Sequence, residues 1–194
     1  MSIVLLILFL FGCEKDTRPV EEPSPAYTTT RTISYNGVSV DLVIDKPAGD
    51  SFDVLLVYHG TVNVDSAILQ AANNTLQGFK NLLAAKDMMI ISVAYPEENL
   101  LFGDNIEHCE AALLWTKHLA AAELGITVKK IFLGGHSQGG YLVTRLNTLH
   151  STAGVVANAP GPLNLLFRCQ LEENGQAPGS PQCSLLQQTY GPTT

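Results

Sequence analysis

The sequence predicts an α/β fold, a mostly parallel sheet with helices on both faces, and three observations carry that expectation. Short apolar runs of the kind buried on both faces of a sheet alternate with segments whose apolar residues recur at helical spacing. Ahead of this alternation, Asn36-Gly37 sits between two β-rich segments, a strong two-residue hairpin signal. The composition, 46% hydrophobic and 15% charged over 194 residues, is that of a globular chain able to bury one core.

Taken in order, Thr28 to Tyr35 and Val38 to Ile44 are the arms of an antiparallel hairpin, which Lys46-Pro47-Ala48-Gly49-Asp50 ends. Val54 to Tyr58 is a short apolar run and the first buried strand. Ile68, Ala72, Leu76, Phe79 and Leu83 then mark a helix, and Met88 to Ala94 a second buried strand. Ile106, Cys109, Leu113 and Ala120 predict one long amphipathic helix that starts near Asp104 and stops at Gly125. Ile131 to Leu133 is the third strand, Leu142, Val143, Leu146 and Leu149 mark the helix after it, and Gly154 to Asn158 is the fourth strand. A hairpin followed by repeated β-α units gives a mainly parallel sheet. Gly161 to Thr194, rich in Gly, Pro and Gln, adds no further clear unit and is expected to be irregular.

The N-terminus has a different character. Ile3 to Phe11 is an unbroken apolar run, too short to span a bilayer and of the length of a signal-peptide core. It ends in Leu10-Phe11-Gly12-Cys13, which resembles the lipobox of bacterial lipoproteins, with Phe11 bulkier than that motif usually has. The resemblance implies a leader over residues 1–12, lipidation of Cys13, and a lipid anchor to a membrane of the bacterial cell envelope. Residues 13–30, acidic and broken by Pro19, Pro23 and Pro25, then form a flexible tether, and 31–194 are expected to be an incomplete domain whose last strands are absent.

Charge and cysteine content narrow the partners. The net charge is −7 and no basic run exceeds Lys129-Lys130, which excludes a nucleic-acid partner. In an oxidising compartment Cys169 and Cys183 are the expected disulfide pair, whereas Cys109 falls on the apolar face of a helix as a buried free thiol. No Cys-x-x-Cys or His-x-x-x-His spacing occurs, so no metal is predicted, and the sequence carries no signal for an oligomeric state.

The chemistry centres on Gly135-His136-Ser137-Gln138-Gly139, a G-x-S-x-G motif with a strand running into it and a helix leaving it. A serine in so tight a turn is lifted clear of the sheet edge, and the glycines two residues either side remove colliding side chains. His59-Gly60-Thr61 directly follows the Val54 to Tyr58 strand. With both motifs in this order, Thr32 to about Pro160 resembles the α/β-hydrolase superfamily, especially its esterase and prolyl-oligopeptidase-like members. The resemblance implies a serine hydrolase that cleaves an ester or amide through an acyl-enzyme on Ser137, with no cofactor. It implies an oxyanion hole made by the backbone N–H groups of Thr61 (or Gly60) and of Gln138, with His59 shaping the loop. Tyr95 is placed either to line a pocket or to pack.

The same resemblance asks for an acid and then a histidine after the serine. No aspartate follows Ser137, and His150 lies on the same predicted helix, about 20 Å away at 1.5 Å per residue. Glu172 and Glu173 are the nearest acids, and the triad histidine is expected beyond residue 194. A second reading stays open, in which a non-catalytic surface lipoprotein uses the scaffold for binding.

Overall fold

The computed structural model describes residues 22–62, 64–83, 86–96, 104–161 and 164–193; the expected leader and Cys13 lie outside them. The described strands form one sheet in the order β1-β2-β4-β3-β5-β6. Strands β1 (Tyr27–Tyr35) and β2 (Val38–Lys46) pair antiparallel, with Tyr35 opposite Val38 across the turn. Both turn residues have positive φ, Asn36 at 50° and Gly37 at 84°, which is why the pair Asn-Gly stands here. Strand β2 is antiparallel to β4 (Met88–Ala94), while β3 (Ser51–Tyr58) lies between β4 and β5 (Thr127–His136), parallel to both. Strand β6 (Gly154–Asn158) joins β5 in parallel and leaves Val156 exposed.

Alternation along β3 sends its side chains into two cores. On one face Leu55 and Val57 pack with Val43, Ile90, and the Ala72 and Leu76 stripe of α1 (Ile68–Leu82). On the other face Leu56 and Tyr58 join Ile91 and Val93 beneath α2 (Asp104–His118), α3 (Ala120–Leu124) and α4 (Gln138–Leu149). Trp115, Leu113 and Cys109 from α2 and Leu142 and Leu146 from α4 are fully or almost fully buried there. Each such side chain contributes about 1.5–3 kcal/mol by leaving water, and together they fix the sheet on which the motifs ride. Burial pushes the free Cys109 thiol well above its ordinary pKa, so it is an inert member of this core.

Four features differ from the sequence reading. Strand β1 begins at Tyr27, inside the stretch assigned to the tether, because Thr28 to Thr30 pair with Val43 to Asp45. Just before it, the Ser24 hydroxyl bonds the Gly49 carbonyl and the buried Lys46 ammonium bonds Ser24, so the fold takes hold from about residue 24. The single helix expected from Asp104 to Gly125 is two, broken at Leu119; the left-handed Gly125 (φ 64°) ends the second. Strand β5 starts at Thr127, four residues early by its charged Lys129 and Lys130, whose side chains are exposed.

The segment expected to be irregular holds two helices, α5 (Leu165–Glu173) and α6 (Pro181–Tyr190). Their signals are caps rather than periodicity. The Asn164 side chain accepts from the Phe167 N–H, the Ser180 hydroxyl accepts from the Cys183 N–H, and Pro181 occupies the first turn. Among the described residues the buried apolar cluster between them is Leu165, Leu186 and the Cys169–Cys183 disulfide. Four residues are too few to print a helical stripe on the sequence.

Candidate active site

Strand β5 delivers the chain to Ser137 and α4 takes it away from the next residue. At the serine the backbone is left-handed, φ 54° and ψ −117°, a region that costs an L residue about 1–3 kcal/mol. The surroundings hold it there. The Ser137 N–H donates to the Asn158 carbonyl at the end of β6 (3.0 Å), and the Ser137 carbonyl accepts from the N–H groups of Tyr141 and Gly161 (both 3.1 Å). Only glycine fits on either side. A Cβ on Gly135 would stand 2.2 Å from the Gly139 carbonyl oxygen, and one on Gly139 would stand 2.1 Å from that of Tyr58 and 2.5 Å from that of His59. So the start of α4 lies directly against the end of β3, and the two motifs of the sequence meet.

That contact brings the loop after β3 to the serine. A Cβ built on Gly60 would be 3.4 Å from the Ser137 Cβ, which is ordinary van der Waals contact. Ser137 is half-buried and Thr61, one residue further on, is exposed. Gln138 is the first residue of α4, where backbone N–H groups lack intrahelical partners and the helix presents partial positive charge. The loop that begins at Gly60 and the first residue of α4, Gln138, are thus the backbone segments next to the serine.

His59 is buried and its ring lies flat against Tyr95, with centroids 4.0 Å apart and planes within 2°. Its Nδ1 is 2.7 Å from the Gly60 carbonyl. Burial lowers its pKa, partly offset by the backbone carbonyls of Gly60 and Tyr95, so the ring is neutral at pH 7 and Nδ1 donates. His59 thus braces the loop.

The other histidines are engaged elsewhere. His136 is exposed, its Nδ1 3.4 Å from the Asn158 side-chain amide. His118 stacks on Tyr35, and His150, just past the end of α4, pairs with Glu110 on α2 at 2.5 Å. His108 lies on α2 against a cleft of about 350 Å³ with Asp41 and Asp65, and neither this cleft nor one of about 380 Å³ around Lys46 and Lys80 is lined by Ser137, Gly60 or Thr61. The two acids are used within the helical hairpin. Glu172 pairs with Arg168 and accepts from the Ser180 N–H, while Glu173 accepts from Gln187 and from Thr193. Among the described residues no side chain hydrogen-bonds the Ser137 hydroxyl, and no group of histidine, cysteine and carboxylate side chains could hold a metal.

Tyr95, which its sequence position offers either to line a pocket or to pack, is packed. Its hydroxyl donates to the His59 carbonyl at 2.5 Å, and its ring is fully buried. The signal was its position at the end of β4, beside the strand that carries the loop, but side-chain direction there depends on the pairing of β3 with β4.

No family model and no curated protein matches the chain. Solved structures do. It is similar to a hyperthermophilic esterase from the archaeon Pyrobaculum calidifontis, at 20% identity and a TM-score of 0.55, covering 73% of this chain and 46% of that one. It is similar to the fungal esterases from Rhizomucor miehei at 22% identity (TM-score 0.53, 73% and 46% covered). A thermostable esterase from Pseudomonas putida aligns at 20% identity (TM-score 0.53, 71% and 44% covered). The chain spans somewhat less than half the length of these structures. Sheet order, helices on both faces, the strand-turn-helix at Ser137 and these likenesses together give the chain the α/β-hydrolase fold.

Proposed function

We propose that Ser137 is the nucleophile of an ester hydrolase that works through an acyl-enzyme. The observation that carries this reading is the left-handed serine at the N-terminus of α4, with Gly60 so close that an added Cβ would touch the Ser137 Cβ. A strained residue held by three backbone hydrogen bonds is kept in place by its surroundings rather than by its own preference. In the reaction the Ser137 oxygen adds to the substrate carbonyl and its proton passes to a histidine. The N–H groups of Gln138 and of Thr61 or Gly60 hold the oxyanion, the alcohol leaves with that proton, and water then releases the acid. One such donor typically contributes about 2.7–4 kcal/mol to the transition state. The esterases among its structural neighbours support an ester over an amide. In this reading the triad histidine and acid come from a part of the protein beyond these residues, and Cys13 carries a lipid that holds the enzyme at a membrane of the cell envelope.

The test is labelling of the full-length protein by a fluorophosphonate. Wild type is expected to label and Ser137→Ala to lose the label; equal labelling of both removes Ser137 from the reaction. The engagement of all the placed histidines with other groups favours a second reading, a scaffold that binds without hydrolysis, and a wild type that neither labels nor hydrolyses esters decides for it.

A further inference from the structure

We propose that Tyr95 is a positioning residue that sets the direction of the oxyanion-hole N–H groups, an inference that rests on the ester hydrolase reading. The planarity of the peptide bond ties each carbonyl to the next N–H. In a trans peptide the carbonyl of one residue and the N–H of the next point in opposite directions in one plane, so holding the first aims the second. The Tyr95 hydroxyl holds the His59 carbonyl at 2.5 Å, and that carbonyl shares its peptide plane with the Gly60 N–H. The His59 ring, in turn, holds the Gly60 carbonyl at 2.7 Å, which shares its plane with the Thr61 N–H. Both candidate donors are thus aimed from behind, one by each member of a stacked pair.

Tyr95 contributes to both arms. Its hydroxyl acts on the first peptide directly, and its face-to-face contact with His59 fixes the ring that acts on the second. The pair is buried, so neither contact competes with water, and the Tyr95 hydroxyl is bound to a backbone group rather than offered to a substrate. The loop also has little room for error. A Cβ on Gly60 would already touch the Ser137 Cβ at 3.4 Å, and the His59 carbonyl lies beside Gly139 in the first turn of α4. Donors that stabilise an oxyanion act through alignment fixed before the reaction, so loosening them affects the transition state and not substrate binding.

The experiment compares Tyr95→Phe with wild type in the full-length protein, using a chromogenic ester and a trifluoromethyl ketone. The ketone adds to the serine and places an oxyanion where the transition state has one. Phenylalanine keeps the stack and removes the hydroxyl. The expected result is a fall in kcat of about tenfold or more with KM within about twofold, and a loss of ketone affinity by the same factor as kcat/KM. Sites are counted by fluorophosphonate titration, so only folded protein is scored. Tyr58→Phe is the matched control. It deletes another buried tyrosine hydroxyl, bonded to the Cys109 carbonyl, and is expected to lower Tm while kcat stays unchanged. An active wild type whose kcat and ketone affinity survive Tyr95→Phe overturns the inference alone. A wild type with no Ser137-dependent hydrolysis overturns the ester hydrolase reading first, and this inference with it.

Discussion

The serine turn and the helical hairpin α5–α6 stand close in the chain and are held by opposite means. At the turn, order comes from exclusion: β3, β5, α4 and the end of β6 approach so closely that Gly135 and Gly139 admit no side chain. In the hairpin, order comes from a covalent bond together with the polar contacts of Glu172 and Glu173. Its buried apolar cluster counts four of the described residues, Leu166 and Phe167 are exposed, and Cys169–Cys183 joins helices that pack chiefly on one another. The difference teaches where each device is used. A segment that can lean on a large core is specified by shape, whereas one that cannot is closed by a disulfide, as small units generally are.

Substitutions can break or sharpen that contrast. The largest effect is expected of Gly139→Ala, whose Cβ would press into two carbonyl oxygens of β3 and its loop. It should destabilise the fold by on the order of 3–5 kcal/mol or prevent folding, measured by urea unfolding, because no flexible side chain is present to yield. Replacing both Cys169 and Cys183 by alanine opens a link across a sequence separation of 14 and should cost the hairpin about 3 kcal/mol. The loss is expected as protease cleavage confined to residues 165–190, with the unfolding of the sheet unchanged; a sheet that melts with the hairpin would erase the contrast. Ser137→Gly should raise stability by about 1 kcal/mol in thermal unfolding while abolishing labelling, since glycine tolerates the left-handed backbone that serine endures.

The smallest effect is a pH dependence at the brace. The His59 pKa is lowered in the folded state, chiefly by burial, so the unfolded chain takes up the proton first. Stability from this site is complete above the ordinary histidine value of 6.5 and is lost as pH falls from there toward the lowered one. His59→Gln should flatten that limb of the stability–pH curve, and an unchanged limb would assign it to other groups.

Much of the fold was legible because the strands and helices on both sides of β3 bury continuous or periodic apolar sets, from Val54 to Tyr58 and from Ile68 to Leu83. The turn at Ser137 was legible for a different reason: steric exclusion leaves glycines, and glycines at fixed spacing show in a sequence. What stayed hidden depends on long-range geometry. The Tyr95 hydroxyl meets the His59 carbonyl only because β4 lies beside β3, and α5 and α6 announce themselves through Asn164 and Ser180-Pro181 rather than through any stripe. The hairpin arm read from Thr28 starts one residue earlier, at Tyr27, so it is the tether boundary at residue 30 that the β-propensity of Thr28 to Thr30 corrects.

The hydrogen bonds from Gly161 to the Ser137 carbonyl and from Ser137 to Asn158 bolt the exit of β6 to the serine turn. A joint bolted on the near side leaves the far side free. Among the described residues none after Gly161 bonds the Ser137 backbone, so the strained geometry of the serine is complete by Gly161 and whatever follows meets it ready-made.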